Sequence, residues 1–128
     1  MEVRAELKYT EEHEWLSIQG NKATLGITDF AQNKLGDIVF VELPEVGTIV
    51  EAGETIGNIE SVKAVSEIFC PVAGEVTEVN KDLEDEPDLV NTSCFDDGWI
   101  VKIRIDSSDL TDANLMSDEE YTQHCANE

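Results

Sequence analysis

The stretch of sequence that decides the fold is Gly57-Asn58-Ile59-Glu60-Ser61-Val62-Lys63-Ala64-Val65-Ser66-Glu67-Ile68-Phe69-Cys70. Strand-like residues run up to Glu60, four residues form a turn, and a second strand-like run ends at Cys70, which predicts a β-hairpin. Lys63 lies in the turn. A lysine side chain is long, flexible and strongly hydrated, so a tight turn holds its ammonium in solvent, where another enzyme can reach it. The pattern suits a lysine that is modified, although an ordinary solvated lysine would give the same local sequence.

A repeat with an offset of 27 residues surrounds this hairpin, since residues 44–56 align with residues 71–83. Pro44 aligns with Pro71, and Gly53 aligns with Asn80. Glycine and asparagine are the residue types that most readily accept a positive φ in a turn. Unless the repeat is a coincidence, two similar β units on either side of the lysine turn predict a pseudo-symmetric pair of sheets.

The flanking sequence predicts further short strands and helices. Asp29 with Gln32, and Ser117 with Glu120, have the spacing of helix-capping pairs. We therefore expect strands over residues 15–18, 23–27, 38–43 and 99–105, a polar loop over residues 82–87, a helix from Asp29 to Leu35 that Gly36 ends, and a helix from Ser117 to about Cys125.

Length and charge narrow the class of protein. The chain has 128 residues, the size of one domain, so we assign residues 1–128 to a single domain. The 29 acidic and 8 basic residues give a net charge of −21. Because the acids alternate with apolar residues at strand spacing, we expect a folded domain with an acidic surface rather than disorder. Such a surface repels nucleic acid and anionic membranes, and it favours either transient docking onto basic patches of enzymes or solubility alone.

The cysteines and the N-terminal residues indicate the cellular compartment of the protein. No apolar run approaches the roughly 20 residues that span a bilayer, and residues 1–6 lack a signal or presequence pattern, so we expect a cytoplasmic protein. Cys70, Cys94 and Cys125 are odd in number and widely spaced, which predicts reduced thiols and no zinc site. Cys70 is either a small buried hydrophobe or a thiol that exchanges with a disulfide-bearing group near Lys63.

The turn motif carries a specific resemblance. Glu60-Ser61-Val62-Lys63-Ala64, followed by Pro71-Val72-Ala73-Gly74-Glu75-Val76, resembles the lipoyl-attachment region of the glycine cleavage system H-protein family. Biotinyl domains carry the lysine between two methionines, and the lipoyl domains of acyltransferases usually have Asp where this chain has Val62. The blocks Tyr9-Thr10-Glu11-Glu12-His13-Glu14-Trp15 and Gly98-Trp99-Ile100-Val101-Lys102-Ile103 extend the resemblance over roughly residues 7–125.

The resemblance implies the fold and the attachment site. The fold would be mainly β, a barrel-sandwich hybrid of two small antiparallel sheets with a lipoyl-lysine hairpin. Its core would cover about residues 24–106, with short flanking helices and a C-terminal helical segment over about residues 107–128. Lipoate would be attached in amide linkage to Lys63, within a motif formed by Glu60, Ser61, Val62 and Ala64. No phosphate loop, nucleophile elbow or HExxH motif occurs, so we expect a carrier with no catalytic or metal site of its own.

The resemblance also implies partners, whose own cofactors perform the difficult chemistry. A pyridoxal-phosphate glycine decarboxylase would load the lipoyl arm with an aminomethyl group, a folate-dependent aminomethyltransferase would remove it, and dihydrolipoyl dehydrogenase would reoxidise the dithiol. A lipoate ligase or octanoyltransferase would modify the protein, which we expect to be a monomer. Two alternatives remain open: an octanoyl or lipoyl relay in lipoate biosynthesis, and a non-lipoylated binding module with the same fold.

Two carboxylates are candidates for sheltering the cationic loaded arm. Glu14 and Glu67 stand where the family tends to place carboxylates, although position 67 is commonly Asp and a Glu on a strand is usually just solvated. When the arm is empty, we expect the two carboxylates to lie apart or to turn to solvent. We expect them to matter for sheltering but not for folding. Lys34 occupies a position where relatives can carry His. His13 is interpreted as structural and His124 as a surface residue.

Overall fold

The computed structural model describes residues 2–106 and 115–128, which contain nine strands and four helices. The strands are β1 (Lys8–Tyr9), β2 (Glu14–Gln19), β3 (Lys22–Ile27), β4 (Ile38–Glu42), β5 (Ile49–Val50), β6 (Thr55–Ser61), β7 (Val65–Phe69), β8 (Gly74–Val79) and β9 (Val101–Arg104). The helices are α1 (Asp29–Leu35), α2 (Asp82–Asp85), α3 (Leu89–Thr92) and α4 (Asp118–Ala126). Within this described part, no helix is long and apolar enough to span a membrane.

The strands form two antiparallel sheets, as predicted. One sheet has the order β1-β2-β3-β9-β8-β5, and the other has the order β4-β6-β7. The two sheets are unequal in size, so the repeat does not produce the symmetric pair that we expected. Instead the two repeat units pair with each other, because Ile49 of β5 lies opposite Glu75 of β8 and the Gly47 amide donates to the Val76 carbonyl over 2.7 Å.

The helix caps follow local sequence chemistry. The cap of α1 is Thr28 rather than Asp29, since the Thr28 side chain accepts a hydrogen bond from the Ala31 amide. The Asp29 carboxylate instead accepts from the Gln32 side chain over 2.8 Å. The predicted cap of α4 is confirmed, because Ser117 and Glu120 form both hydrogen bonds of a capping box.

Two further expectations were wrong. Residues 82–85 are not a polar loop but the helix α2, whose Leu83 is buried and anchors it to the barrel core. Asn80 does not adopt a positive φ, and among the described residues other than glycine only His13 does. Asn80 is buried, and its side-chain amide donates to the carbonyls of Asp97 and Trp99 at 2.8 and 2.7 Å. The asparagine is therefore a hydrogen-bonding brace rather than a turn residue.

Two hydrophobic clusters hold these elements together. The larger cluster fills the space between the sheets with side chains such as Leu16, Ile59 and Ile68. The smaller one joins the N-terminal strands to α4, where the Tyr9 and Tyr121 rings stack with centroids 4.6 Å apart. The C-terminal helix is thus packed onto the β domain. Part of the predicted C-terminal segment, residues 107–114, lies outside the described residues.

Candidate functional site

The turn that carries Lys63 is fixed by one serine hydroxyl. Ser61 Oγ accepts hydrogen bonds from the Lys63 and Ala64 amides, each at 3.1 Å, and the Ser61 amide donates to the Ala64 carbonyl over 2.8 Å. Glu60 at the end of β6 lies opposite Val65 at the start of β7. The backbone of the turn is therefore held in place while the Lys63 side chain stays exposed.

A second contact holds the turn against the loop that follows α1. The Val62 amide donates to the Asp37 carbonyl over 3.1 Å, and the Lys63 side chain lies across Gly36. Gly36 has φ +79°, which favours glycine, and a Cβ there would stand 3.2 Å from Lys63 Cε. The sequence predicted that Gly36 ends the helix, but not that it makes room for the lysine.

Asn91, a residue that sequence reasoning missed, braces this loop. Its side-chain amide donates to the Gly36 carbonyl over 2.8 Å and to Gln32 Oε1 over 3.0 Å, and its Oδ1 accepts from the Ile38 amide over 2.9 Å. Asn91 comes from α3, more than fifty residues away along the chain. No local pattern in the sequence links these positions.

The outer face of the smaller sheet surrounds the lysine with apolar and acidic side chains. Phe40, Glu60 and Val65 form one row across β4, β6 and β7. Next to it is a row of Glu42, Asn58 and Glu67, in which Asn58 Nδ2 donates to Glu42 Oε2 over 3.2 Å. Two valines on either side of Lys63, Val62 and Val65, are each 67% exposed, which is unusual for large aliphatic side chains.

Glu14 lies near the end of β7 that is far from Lys63 and is only 2% exposed, so it does not turn to solvent. The other alternative, that Glu14 and Glu67 lie apart, stays a prediction. Thr10 Oγ1 donates to Glu14 Oε1 over 2.7 Å, and the Phe69 amide donates to Oε2 over 3.1 Å. Burial raises the pKa of Glu14 to about 7, although the hydrogen bonds from Thr10 and Phe69 oppose this shift. The carboxyl group is therefore poised between its neutral and charged forms near neutral pH.

Glu67 is exposed and lies on the same face of β7 as Phe69, two residues away. Both α1 and β7 extend from the neighbourhood of Lys63 to that of Glu14. The start of α1 lies near Glu14 because the Thr28 amide donates to the carbonyl of His13, the residue before Glu14. The end of β7 lies there because the Phe69 amide donates to Glu14 itself. The seven residues of α1 cover about 10 Å. A lysine side chain extended by the acyl chain of lipoate spans more than that. Beside Glu14 the surface opens into a pocket of about 360 Å³ that Glu12, Phe69 and Pro71 help to line.

Comparison with known proteins decides the family. The family model described as glycine cleavage H-protein matches residues 7–128. The chain belongs to this family. It is 51% identical to the glycine cleavage system H protein of Rubrobacter xylanophilus over 127 residues, covering 99% of this chain and 98% of that protein. It is 52% identical to the H protein of Staphylococcus saprophyticus over 124 residues, covering 96% and 97%. The crystal structure of a glycine cleavage system H protein from Mycobacterium marinum superposes with a TM-score of 0.88 at 34% identity, covering 97% of this chain and 99% of that one.

This H-protein family member keeps its cysteines out of reach of the lysine arm. Cys70 is fully buried, its Sγ donates to the Val72 carbonyl over 3.1 Å, and burial raises its pKa to about 11. Since thiolate is the exchanging species, these observations favour the buried hydrophobe over the reactive thiol. Cys94 and Cys125 are also buried and free.

The remaining candidates from the sequence are Lys34, His13 and His124. Lys34 is exposed, with Nζ 4.9 Å from the centre of the Phe30 ring. His13 contacts the C-terminal helix, with Nδ1 2.7 Å from the Tyr121 hydroxyl. His124 is half-buried rather than fully exposed, and its Nε2 lies 3.2 Å from the Glu11 carbonyl.

Proposed function

We propose that this protein is the lipoyl carrier of the glycine cleavage system, with lipoate attached in amide linkage to Lys63. In this role it shuttles the aminomethyl group of glycine from glycine decarboxylase to the aminomethyltransferase and is then reoxidised by dihydrolipoyl dehydrogenase. One observation carries the proposal for the site: Lys63 projects from a turn whose backbone is fixed by Ser61 and Asp37, while its own side chain is exposed.

The residues around Lys63 fit an acylated lysine. Within residues 2–106 and 115–128, Lys63 makes no ion pair, so converting its ammonium to an amide removes no charge pair from the fold. Gly36 leaves the space that the side chain crosses. Lipoate supplies a dithiolane ring that accepts electrons and the transferred group together. Glu60 pairs with Val65 at the base of the turn, and Ser61, the last residue of β6, exchanges hydrogen bonds with Ala64 just before β7. These motif residues therefore help to present the lysine.

Glu14 and Glu67 supply carboxylates for the cationic aminomethyl cargo. Glu67 is on β7, and Glu14 accepts a hydrogen bond from Phe69 near the end of that strand. Both therefore lie along the direction in which β7 leaves Lys63. An ammonium beside a buried carboxyl group stabilises its charged form, so the cargo would draw Glu14, with its pKa about 7, towards ionisation. The partly enclosed position of Glu14 would also keep water from the cargo.

The outer face of the smaller sheet is our candidate docking surface for the partner enzymes. Its exposed aliphatic side chains offer area for burial, while Glu42, Glu60 and Glu67 complement a basic rim around an active-site entrance. Charge complementarity of this kind speeds association more than it deepens affinity, as a shuttle between three enzymes requires. The tether gives each active site a high effective concentration of its substrate. We also propose that the carrier is a cytoplasmic monomer that acquires its cofactor from a lipoate ligase or an octanoyltransferase.

The experiment is lipoylation of the purified apo protein by lipoate ligase with ATP and lipoate, followed by intact-mass and peptide analysis. We expect one lipoyl group on wild-type protein, none on Lys63→Arg, and one on the control Lys34→Arg, whose lysine is equally exposed. Modification of Lys63→Arg at another lysine would show that the site assignment is wrong.

The same samples separate the alternatives. Lipoylated wild-type protein should support exchange of the glycine carboxyl group with CO2 by glycine decarboxylase, and Lys63→Arg should not. A lipoylated protein that failed in this exchange but passed its acyl group to other lipoyl domains would identify the relay instead. Wild-type protein that gained no mass would identify a non-lipoylated binding module.

A further inference from the structure

Three side chains that bind metals well meet where α4 packs against the loop between β1 and β2. They are His13 from the loop, His124 from α4, and Glu128 beyond the end of α4, and one ligand atom of each lies within 4.8 Å of the other two. His13 Nε2 is 2.9 Å from Glu128 Oε2, and His124 Nε2 is 3.5 Å from Glu128 Oε1. We propose that these residues form a binding site for a divalent transition-metal ion of the Zn²⁺ type.

The spacing of the ligand atoms suits such an ion. Two atoms that each lie about 2.1 Å from a tetrahedral Zn²⁺ stand about 3.4 Å apart. The separations of 2.9 and 3.5 Å, which run to the two different oxygens of the Glu128 carboxylate, are close to that value, and the whole set of ligand atoms lies within 4.8 Å. Side-chain rotations would bring the two imidazoles and one carboxylate oxygen onto a single ion. Two imidazoles with one carboxylate leave the fourth position to water. Mg²⁺ and Ca²⁺ prefer oxygen ligands throughout, so this set discriminates against them.

The orientation of the His13 ring is fixed by a hydrogen bond at Nδ1, the nitrogen that would not bind the ion, as in many metal sites. His13 Nδ1 lies 2.7 Å from the hydroxyl of the buried Tyr121, which also lies 2.7 Å from Thr28 Oγ1. When the ion is bound, the Tyr121 hydroxyl can accept a hydrogen bond from His13 Nδ1–H and donate its own hydrogen to Thr28 Oγ1. That arrangement leaves the lone pair of His13 Nε2 directed at the cluster. The backbone supports this placement, because His13 is held at φ +68°.

Packing also fixes the His13 ring. It stacks on Phe30 with centroids 4.7 Å apart and meets the Tyr121 ring edge-on with centroids 5.6 Å apart. The ring therefore has little freedom to turn away from the cluster.

Three existing contacts compete with the ion. The 2.9 Å contact between His13 Nε2 and Glu128 Oε2 needs a proton on the nitrogen, and the ion would replace that proton. Lys34 Nζ lies 4.0 Å from Glu128 Oε2, and a bound cation would displace this exposed ammonium. The His124 Nε2 contact with the Glu11 carbonyl, at 3.2 Å, would also be given up. Against these costs, a chain of net charge −21 concentrates cations at its surface. The bound ion would link the end of the C-terminal helix to the loop that precedes Glu14.

The test is a titration of the full-length protein with Zn²⁺ against a chromophoric chelator, repeated with Co²⁺, whose visible bands report coordination by imidazole. We expect one equivalent to bind, and His124→Gln and Glu128→Gln each to weaken binding at least tenfold. The matched control is Glu119→Gln, which removes an identical charge from an exposed position on α4 and should leave the affinity unchanged. Lys34→Gln should bind more tightly than wild type.

The outcomes that overturn the proposal are distinct. Wild-type protein that binds no stoichiometric Zn²⁺ would reject the site outright. Equal weakening by Glu119→Gln and Glu128→Gln, or displacement of Zn²⁺ by equimolar Ca²⁺, would show that the ion is held by the acidic surface in general. His13→Gln is not needed for the decision, so any folding defect in that variant does not affect it.

Discussion

The two ends of strand β7 differ in what they do with a charged side chain: one end exposes a lysine, and the other end buries a glutamate. At one end the turn must keep Lys63 in solvent, and the Ser61 hydroxyl binds the free amides so that the lysine side chain is left out of the structure. At the other end the Phe69 amide donates to the carboxylate of Glu14, which belongs to the opposite sheet. One end is therefore an exposed lysine side chain on a turn whose backbone is held by hydrogen bonds. The other end is a buried carboxyl group that joins the two sheets.

The largest effect that distinguishes these ends is expected for Glu14→Ala. The substitution leaves the Phe69 amide and the Thr10 hydroxyl without their acceptor inside the protein, which costs about 2–4 kcal/mol of unfolding free energy. This revises our expectation from the sequence that Glu14 is dispensable for folding. Urea denaturation at pH 6 measures the loss.

The control is Glu12→Ala, whose exposed side chain lies on the loop just before Glu14 and should change stability by less than about 0.5 kcal/mol. Lipoylation of Glu14→Ala should proceed at the wild-type rate wherever the protein is folded, because the turn at Lys63 does not depend on Glu14. Equal stability of the two variants would mean that the Glu14 hydrogen bonds do not join the sheets.

The second effect is a change in the pH dependence of stability. The folded pKa of Glu14, about 7, is above its ordinary value of 4.5, so the folded state binds a proton more tightly than the unfolded state. The stability from this group is fully present below pH 4.5 and is lost as the pH rises through 7, by up to about 3 kcal/mol. Glu14→Gln keeps a neutral side chain throughout. It should therefore lose less stability than wild type between pH 5 and pH 8.

Comparison with wild type is essential here, because the many other carboxylates also repel one another more strongly as the pH rises. Glu67→Gln, which removes one exposed charge from the same strand, provides the baseline for that general effect. Parallel pH profiles for Glu14→Gln and Glu67→Gln would show that the Glu14 carboxyl group titrates as an ordinary surface acid.

The exposed end was easier to predict from sequence than the buried end. The turn at Lys63 and the capping box at Ser117 depend on residues within four positions of each other, so local pattern was sufficient. The burial of Glu14 depends on Phe69, which is 55 residues away, and a glutamate before a tryptophan has the alternation of an ordinary strand. The helix α2 was missed because its run of acidic residues is typical of a polar loop, and a single leucine gives no apolar periodicity that would predict a helix.

At the exposed end, Asn91→Ala should cost about 1–3 kcal/mol, because the Gly36 carbonyl and the Ile38 amide lose their partner. The loop that supports Val62 and Lys63 would then be less ordered, so lipoylation by the ligase should also become slower. Unfolding in urea and the rate of lipoylation measure the two effects. Asn33→Ala, at an exposed position on α1, is the matched control and should change neither.

Comparing Asn91→Ala with Glu14→Ala separates the roles of the two ends of β7. Asn91→Ala should slow lipoylation, whereas Glu14→Ala should mainly reduce stability. A slower lipoylation in the folded Glu14→Ala protein would show that the two ends are coupled through β7, and that the strand does not separate their roles.

The smallest effect is expected for Glu67→Gln in the lipoylated protein. Glu67 is exposed, so its attraction for the cationic cargo is screened and is worth about 0.2–1 kcal/mol, a factor of about 1.5 to 5. Release of the aminomethyl group as formaldehyde and ammonia, measured without aminomethyltransferase, should accelerate by that factor while the melting temperature stays within error. Glu42→Gln removes an exposed carboxylate from the same row on β4, away from the edge beside Glu14, and should leave the release rate unchanged. An equal acceleration in both variants would mean that the cargo responds only to the overall charge of the sheet face, and that Glu67 has no part in sheltering it.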